Sequence, residues 1–264
     1  MTYPHRTGQA AAPGPAQTRS TGWTVRKATP AAPQPNMPMR RYEVMALTPE
    51  GDLIDEIRAA PATPLFESAF TAIARGALLM TEEGPVAVED LMPGMRIETR
   101  DNGFQTLLWR GATNIVPRPM SPETSPFLYR IPVDSFGPQR PMPDLMLGPH
   151  ARLLHRNPGL VEIAGQDRAL APLAAFEDSV TVIRVTPASP VRLFHLGFAR
   201  HEVIAVNGVE IESMHPGPEL VRSLAAPELK RFLSIFPHVR ALSQLGPLLL
   251  PRLSLEAAQV VTAA

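Results

Sequence analysis

The stretch Ala72–Thr99, AIARGALLMTEEGPVAVEDLMPGMRIET, decides how the rest of the chain is read. Ala77-Leu78-Leu79-Met80 is an apolar run of strand length, and Glu82-Glu83-Gly84 supplies a turn after it. Val86-Ala87-Val88 forms a second short run. Glu89-Asp90 leads into Leu91-Met92-Pro93-Gly94, after which Met95-Arg96-Ile97-Glu98-Thr99 alternates as a half-buried strand does. Short apolar segments punctuated by glycine and proline imply a mainly β chain.

Reading outward toward the N-terminus, Tyr42–Leu47 alternates weakly and meets the turn Pro49-Glu50-Gly51-Asp52 before Leu53–Ile57, which predicts a β-hairpin. Pro61 and Pro64 keep the next residues extended, with a helical turn around Phe66–Ala69. Residues 1 to about 40 are rich in Ala, Pro, Gln, Thr and Gly. They hold little to bury and are expected to be a disordered tail in which only Trp23, Val25 and Arg26-Lys27 could dock.

Reading outward toward the C-terminus, strands are expected over Gln105–Arg110 (closed by Gly111), Phe127–Val133, Leu145–Leu154, Leu160–Ile163, Val180–Val185, Val191–Phe198, His201–Val206 and Val209–Ser213. Asn207-Gly208 is a strong two-residue hairpin turn. Leu170–Phe176 reads as a helical turn. From Pro218 the pattern changes: Pro227 suits the first turn of a helix, and Leu229, Phe232, Leu233 and Phe236 form one stripe expected to pack on the β body. Shorter helices are expected over 239–245 and 254–262. The chain therefore divides into a tail (1–40), a hairpin and extended lead-in (41–68), a β domain (69–217) and a helical extension (218–264).

Composition narrows the functional classes. The 25 basic and 25 acidic residues cancel, which argues against a partner held by broad phosphate neutralisation, so no nucleic acid is expected. With no cysteine there is no disulfide and no thiolate metal site. The 31 prolines disfavour long helices. No run reaches the roughly 18 apolar residues of a membrane-spanning helix, and the N-terminus lacks the apolar segment of a secretory signal. The expectation is a cytoplasmic chain, or one exported without an N-terminal signal.

The order of motifs resembles the bacterial Hint family, the autoprocessing module shared by hedgehog proteins and inteins, whose members open near C-F-x-x-G-T. The 72–99 stretch resembles that opening. Asp144–Leu154, with Gly148-Pro149-His150-Ala151-Arg152, resembles the family's L-x-[VL]-S-P-x-H-R-x-L-L block. Phe194–Ile204 resembles H-L-x-x-D-R-H-E-V, and Glu212–Gly217 resembles E-S-x-x-P-G. The resemblance implies an all-β fold with short C-terminal helices added here. It also implies self-cleavage through an N-to-S or N-to-O acyl shift, which needs a nucleophile on the first residue of the motif and an assisting histidine.

In that register the nucleophile position is Ala72, the Ser position is Gly148 and the histidine position is Ala151. Both members of the catalytic unit are thus alanine. Thr71 and His150 each stand one residue away, and a one-residue offset in a strand turns a side chain to the other face. The sequence reading is therefore a Hint-like chain deficient in self-cleavage and serving as a structural or protein-interaction module for an unidentified protein partner. One alternative is an active domain that forms an ester on Thr71 or Ser68. Another is a small-ligand or metal-binding β protein using His195, His201 and His215. The candidate residues are Thr71, His150 and His201. Two or three histidines on separate strands do not make a metal set, and an Arg200–Glu202/Glu212 network is the structural account of that group. No cofactor is implied.

Overall fold

Two antiparallel sheets carry the structure, a computed structural model that describes Met1 and residues 38–118 and 125–262. The tail expected over 1–40 lies outside the described residues except for Met1 and 38–40. Residues from 38 onward belong to one unit. In chain order the elements are β1 (Met39–Leu47), β2 (Leu53–Pro61), α1 (Pro64–Ser68), β3 (Ile73–Ala74), β4 (Leu78–Thr81), β5 (Gly84–Ala87), β6 (Arg96–Thr99), β7 (Gly103–Thr106), β8 (Trp109–Ile115), β9 (Leu128–Ile131), β10 (Leu145–Leu147) and β11 (Arg152–Arg156). There follow α2 (Leu160–Ala164), β12 (Arg168–Pro172), β13 (Ile183–Val185), β14 (Val191–Gly197), β15 (Val203–Val206), β16 (Val209–Glu212), α3 (Pro218–Ser223), α4 (Ala226–Leu233) and α5 (Leu255–Thr262). One sheet runs β13-β9-β10-β3-β14-β8-β1-β2; the other runs β12-β11-β16-β15-β4-β6-β7 with β5 beside β4.

The mainly β architecture follows the sequence. The hairpin β1–β2 pairs from Met39 opposite Pro61 to Leu47 opposite Leu53, and β1 also pairs with β8. The turn between β15 and β16 uses Asn207 (φ 47°) and Gly208 (φ 82°), residues that tolerate the left-handed region. The Asn207 side chain accepts from Leu78 N–H at 2.6 Å and donates to the Pro143 carbonyl at 3.1 Å, so the turn also ties β4 to the loop before β10.

Three expectations need correction. Gly111 does not end its strand: β8 runs through it, because a Cβ there would lie 2.2 Å from the Trp109 ring and 2.6 Å from the Phe70 ring. The glycine makes room for two large side chains. Leu160–Ile163 is helical, not extended. Asn157 Oδ1 accepts from Gly159 N–H at 2.8 Å at its start, Gly165 (φ 74°) ends it, and Leu160 is buried with Ala258 and Val261 of α5. The stretch read as a helical turn at Leu170–Phe176 is divided, with strand to Pro172 and a 3-10 turn over Leu173–Phe176.

The C-terminal stripe packs as expected. Phe232 and Phe236 are buried with Tyr42, Phe66, Phe70 and Trp109 in a core of their own, and Leu229 and Leu233 lie against it. The rings form a chain: Tyr42 stacks on Phe70 at 4.4 Å, Phe70 meets Trp109 at 5.4 Å, and Trp109 meets Phe236 at 5.1 Å. The Trp109 indole N–H donates to the Ile235 carbonyl at 2.7 Å and the Tyr42 hydroxyl to the Pro61 carbonyl at 3.3 Å, which satisfies the polar atom of each ring. A larger core between the sheets holds Ala72, Ile73, Leu79, Ile97, Leu147, Ala151, Phe194, Ile204 and Ile211. Among the described residues no helix is long and apolar enough to cross a membrane.

Candidate functional site

Residues 71–72 run between the end of β10 and β14. Ala72 N–H donates to the Phe194 carbonyl at 3.1 Å, and the Ala72 carbonyl accepts from Gly148 N–H at 2.8 Å. Gly148 opens a tight turn closed by Ala151 N–H to the Gly148 carbonyl at 3.2 Å, and β11 follows. A Cβ on residue 148 would lie 2.1 Å from the Thr71 carbonyl oxygen. A serine at that position therefore cannot enter without moving the Thr71 backbone.

Alternation sorts the four neighbouring side chains into two pairs. Ala72 and Ala151 are 1% and 2% exposed and belong to the core between the sheets. Thr71 and His150 belong to the other pair, and the Thr71 Oγ1 lies 2.7 Å from His150 Nδ1. Each is offset by one residue from the family register, and the objection to each alone is correct. Taken together the offsets run in the same direction, so the two side chains turn away from the core and meet one another.

The protons on this pair can be assigned. Thr71 Oγ1 also lies 2.8 Å from the Glu67 carbonyl, which can only accept, so the single hydroxyl hydrogen goes there. His150 Nδ1–H then donates to Oγ1, and Nε2 is left as the acceptor of the ring. Burial, with the Arg152 charge adding to it, pushes His150 down to about 4, so the imidazole is neutral near pH 7. The pair lies on the wall of a cavity of about 480 Å³.

His201 is elsewhere and has a structural setting. Its Nδ1 accepts from Leu249 N–H at 3.0 Å, and its Nε2 lies 2.9 Å from Glu212 Oε1. Burial would raise the Glu212 carboxyl, but His201 and Arg252 outweigh it and hold the group below its ordinary range. Arg252 Nε donates to Glu212 at 2.7 Å, and Arg152 Nε lies 3.8 Å from its other oxygen. The cations on Glu212 are thus Arg252 and Arg152, not Arg200, which is exposed. Glu202 accepts from the Asn102 amide at 2.8 Å. His215 lies with its Nε2 3.0 Å from the Gly246 carbonyl, and its Nδ1 accepts from Gly217 N–H at 3.0 Å. His195 Nδ1 lies 3.2 Å from the Ser68 carbonyl, and burial lowers the ring to about 4. The Ser68 hydroxyl donates to Leu65 at 2.9 Å within α1. Among the described residues no three His, Asp or Glu side chains converge to hold a metal ion.

Sequence reading did not anticipate the rest of the cavity wall: Arg40, Phe127 and Arg184 stand beside Thr71 and His150. Arg252 on Glu212 was also missed. No local signal links positions so far apart; only strand order brings them together.

Part of the chain is similar to known proteins. A solved structure similar to part of the chain is a glutathione-linked, splicing-inactive variant of the AceL NrdHF class 3 split intein. It has 10% sequence identity and a TM-score of 0.38, and the match covers 54% of this chain and 97% of that one. No curated protein matches the chain. The sequence profile of the Hint domain matches residues 71–218, more than half of the length, and the chain belongs to the Hint-domain family.

Proposed function

We propose that this chain is a Hint domain without self-cleavage at the family's junction, serving as a structural or protein-interaction module. The observation that carries this reading is the pair Ala72 and Ala151, two methyl groups in a packed core where the acyl shift needs a nucleophile and an imidazole. Losing both members of one catalytic unit leaves little for either position to do alone. The test is intact mass of the purified full chain after days at neutral pH, with and without thiol or hydroxylamine. An unchanged mass is expected. A fragment cut at the Thr71–Ala72 bond would overturn the reading.

One observation favours a second reading, the 2.7 Å contact between Thr71 and His150. An N-to-O shift there would join Thr71 Oγ1 to the Phe70 carbonyl carbon, break the Phe70–Thr71 C–N bond and leave the hydroxyl proton on the freed amine. Against it stands the resting arrangement, in which the hydroxyl donates to Glu67 and His150 points an N–H, not a lone pair, at the oxygen. A hydroxylamine-dependent fragment ending at Phe70, lost in Thr71→Val, would select this reading over the first.

A further inference from the structure

β2 ends its sheet, and among the described residues no strand lies beyond it. Its ladder with β1 fixes which backbone groups are left over. Ala62 N–H donates to the Pro38 carbonyl at 2.7 Å at one end, and Thr48 N–H donates to the Asp52 carbonyl at 2.8 Å at the other. The register between them is unbroken, so the even-numbered residues of β2 bond to β1. Asp55, Ile57 and Ala59 therefore turn both N–H and C=O outward, which is a template for another strand. The face that carries Ile57 is apolar as well: Met39, Leu53 and Ile57 all lie on it and are exposed. On the opposite face Glu56 and Arg58 form an ion pair along the strand, and both side chains reach solvent.

We propose that β2 pairs with β2 of a second copy of this chain, antiparallel, with Ile57 on the two-fold axis. Charge order selects this register. With Asp55 or Glu56 on the axis a carboxylate faces its own copy, and with Arg58 there a guanidinium does; like charges directly opposite destabilise a ladder. Ala59 on the axis sets Glu56 and Arg58 against alanines. Ile57 on the axis sets Glu56 opposite Arg58 of the second copy and Arg58 opposite Glu56 of the second copy, so the patch is its own complement. In the same register Ile57 exchanges both backbone hydrogen bonds with its copy, and Asp55 does so with Ala59. On the apolar face Ile57 meets Ile57, and Leu53 meets Pro61 beside Met39. The pairing gives the interaction-module reading a partner and rests on it to that extent, but association and self-cleavage are read by different measurements. An uncut chain that stays monomeric counts against the pairing alone.

The test is sedimentation equilibrium of the full chain from micromolar to millimolar concentration, with hydrogen exchange on the same samples. A monomer–dimer equilibrium is expected, in which the amides of Asp55, Ile57 and Ala59 gain protection as concentration rises. Arg58→Glu and Glu56→Arg should each weaken the dimer about tenfold, because each sets like charges opposite one another twice across the axis. The double variant Glu56→Arg/Arg58→Glu restores the complement and should restore the dimer. Arg184→Glu, on the strand at the other end of the same sheet, should leave it unchanged. Melting temperature checks that each variant is folded; the double variant keeps the test decisive if one single variant is not. A monomer at every concentration would overturn the proposal, whether the edge is taken by the chain's own N-terminal residues or kept for a different protein. So would a dimer indifferent to both single variants, or one that the double variant does not restore.

Discussion

Residues 71 and 72 are neighbours in sequence, and so are 150 and 151, yet the two resulting pairs live in different media. Ala72 and Ala151 sit in an apolar core; Thr71 and His150 hydrogen-bond to each other beside a cavity. The register read from the sequence assigns the family's chemistry to the first pair, and this chain has polar side chains only in the second. Extended backbone makes this possible, because moving a function by one residue on two facing segments moves it to the opposite side of both. A register count on either segment alone sees only loss.

Thr71 and Ala72, one member of each pair, share a support, the ring cluster that fixes Phe70 directly before them. Phe232→Ala is expected to cost roughly 3–5 kcal/mol, since Phe232 is wholly buried against Phe66 and Phe236. Chemical denaturation measures it, and a near-neutral result would mean the C-terminal helices do not hold the sheet.

The core pair is probed by Ala151→His, which forces an imidazole into a site that is 2% exposed. The expected loss is about 1–3 kcal/mol from overpacking, so the double variant Ala72→Cys/Ala151→His must be checked for folding before any cleavage assay is read. The contrast is sharpest in a single hydroxyl. Removing it with Thr71→Val should cost about 1–2 kcal/mol, because His150 and the Glu67 carbonyl lose their partner. Adding it next door with Ala72→Ser should also destabilise, by about 1–3 kcal/mol, because the core offers no acceptor. Equal tolerance at both positions would erase the distinction between the faces.

The last effect is in pH dependence. His150 is near 4 in the folded chain and near 6.5 when unfolded, so the unfolded chain binds the extra proton between those values. Its contribution is intact above about 6.5 and lost as pH falls toward 4. His195, His215 and His238 are lowered by burial in the same way, while burial raises Glu202 and opposes them. Melting temperature against pH for wild type and His150→Phe should therefore differ in slope by at most one proton, and only within that window.

Much of the fold was legible because its signals are local. The Asn207-Gly208 turn, the β1–β2 hairpin and the Phe232/Phe236 stripe are each written within one short continuous stretch. Local pattern failed where a distant partner decided the outcome. Gly111 reads as a terminator until the Trp109 and Phe70 rings are seen to need its missing Cβ, and Leu160–Ile163 reads as a strand until α5 is packed against Leu160. The candidate site shows the same limit. Thr71, His150, Ala72 and Ala151 were visible in the sequence, but their pairing, and the arginines around them, depend on strands joined across the sheet.

One consequence of strand order remains. β1 is not at the margin of its sheet; it lies between β8 and β2, and Tyr42 and Val44 are buried in the ring cluster. The segment from β1 to Phe70 is thus fastened by ladder hydrogen bonds and aromatic contacts as well as by the peptide chain. Severing the backbone between β2 and β3, by any agent, would not part the pieces. The product would be a nicked molecule that keeps its shape in native solution and falls into two only in denaturant, so scission and release are separate events with separate energy barriers.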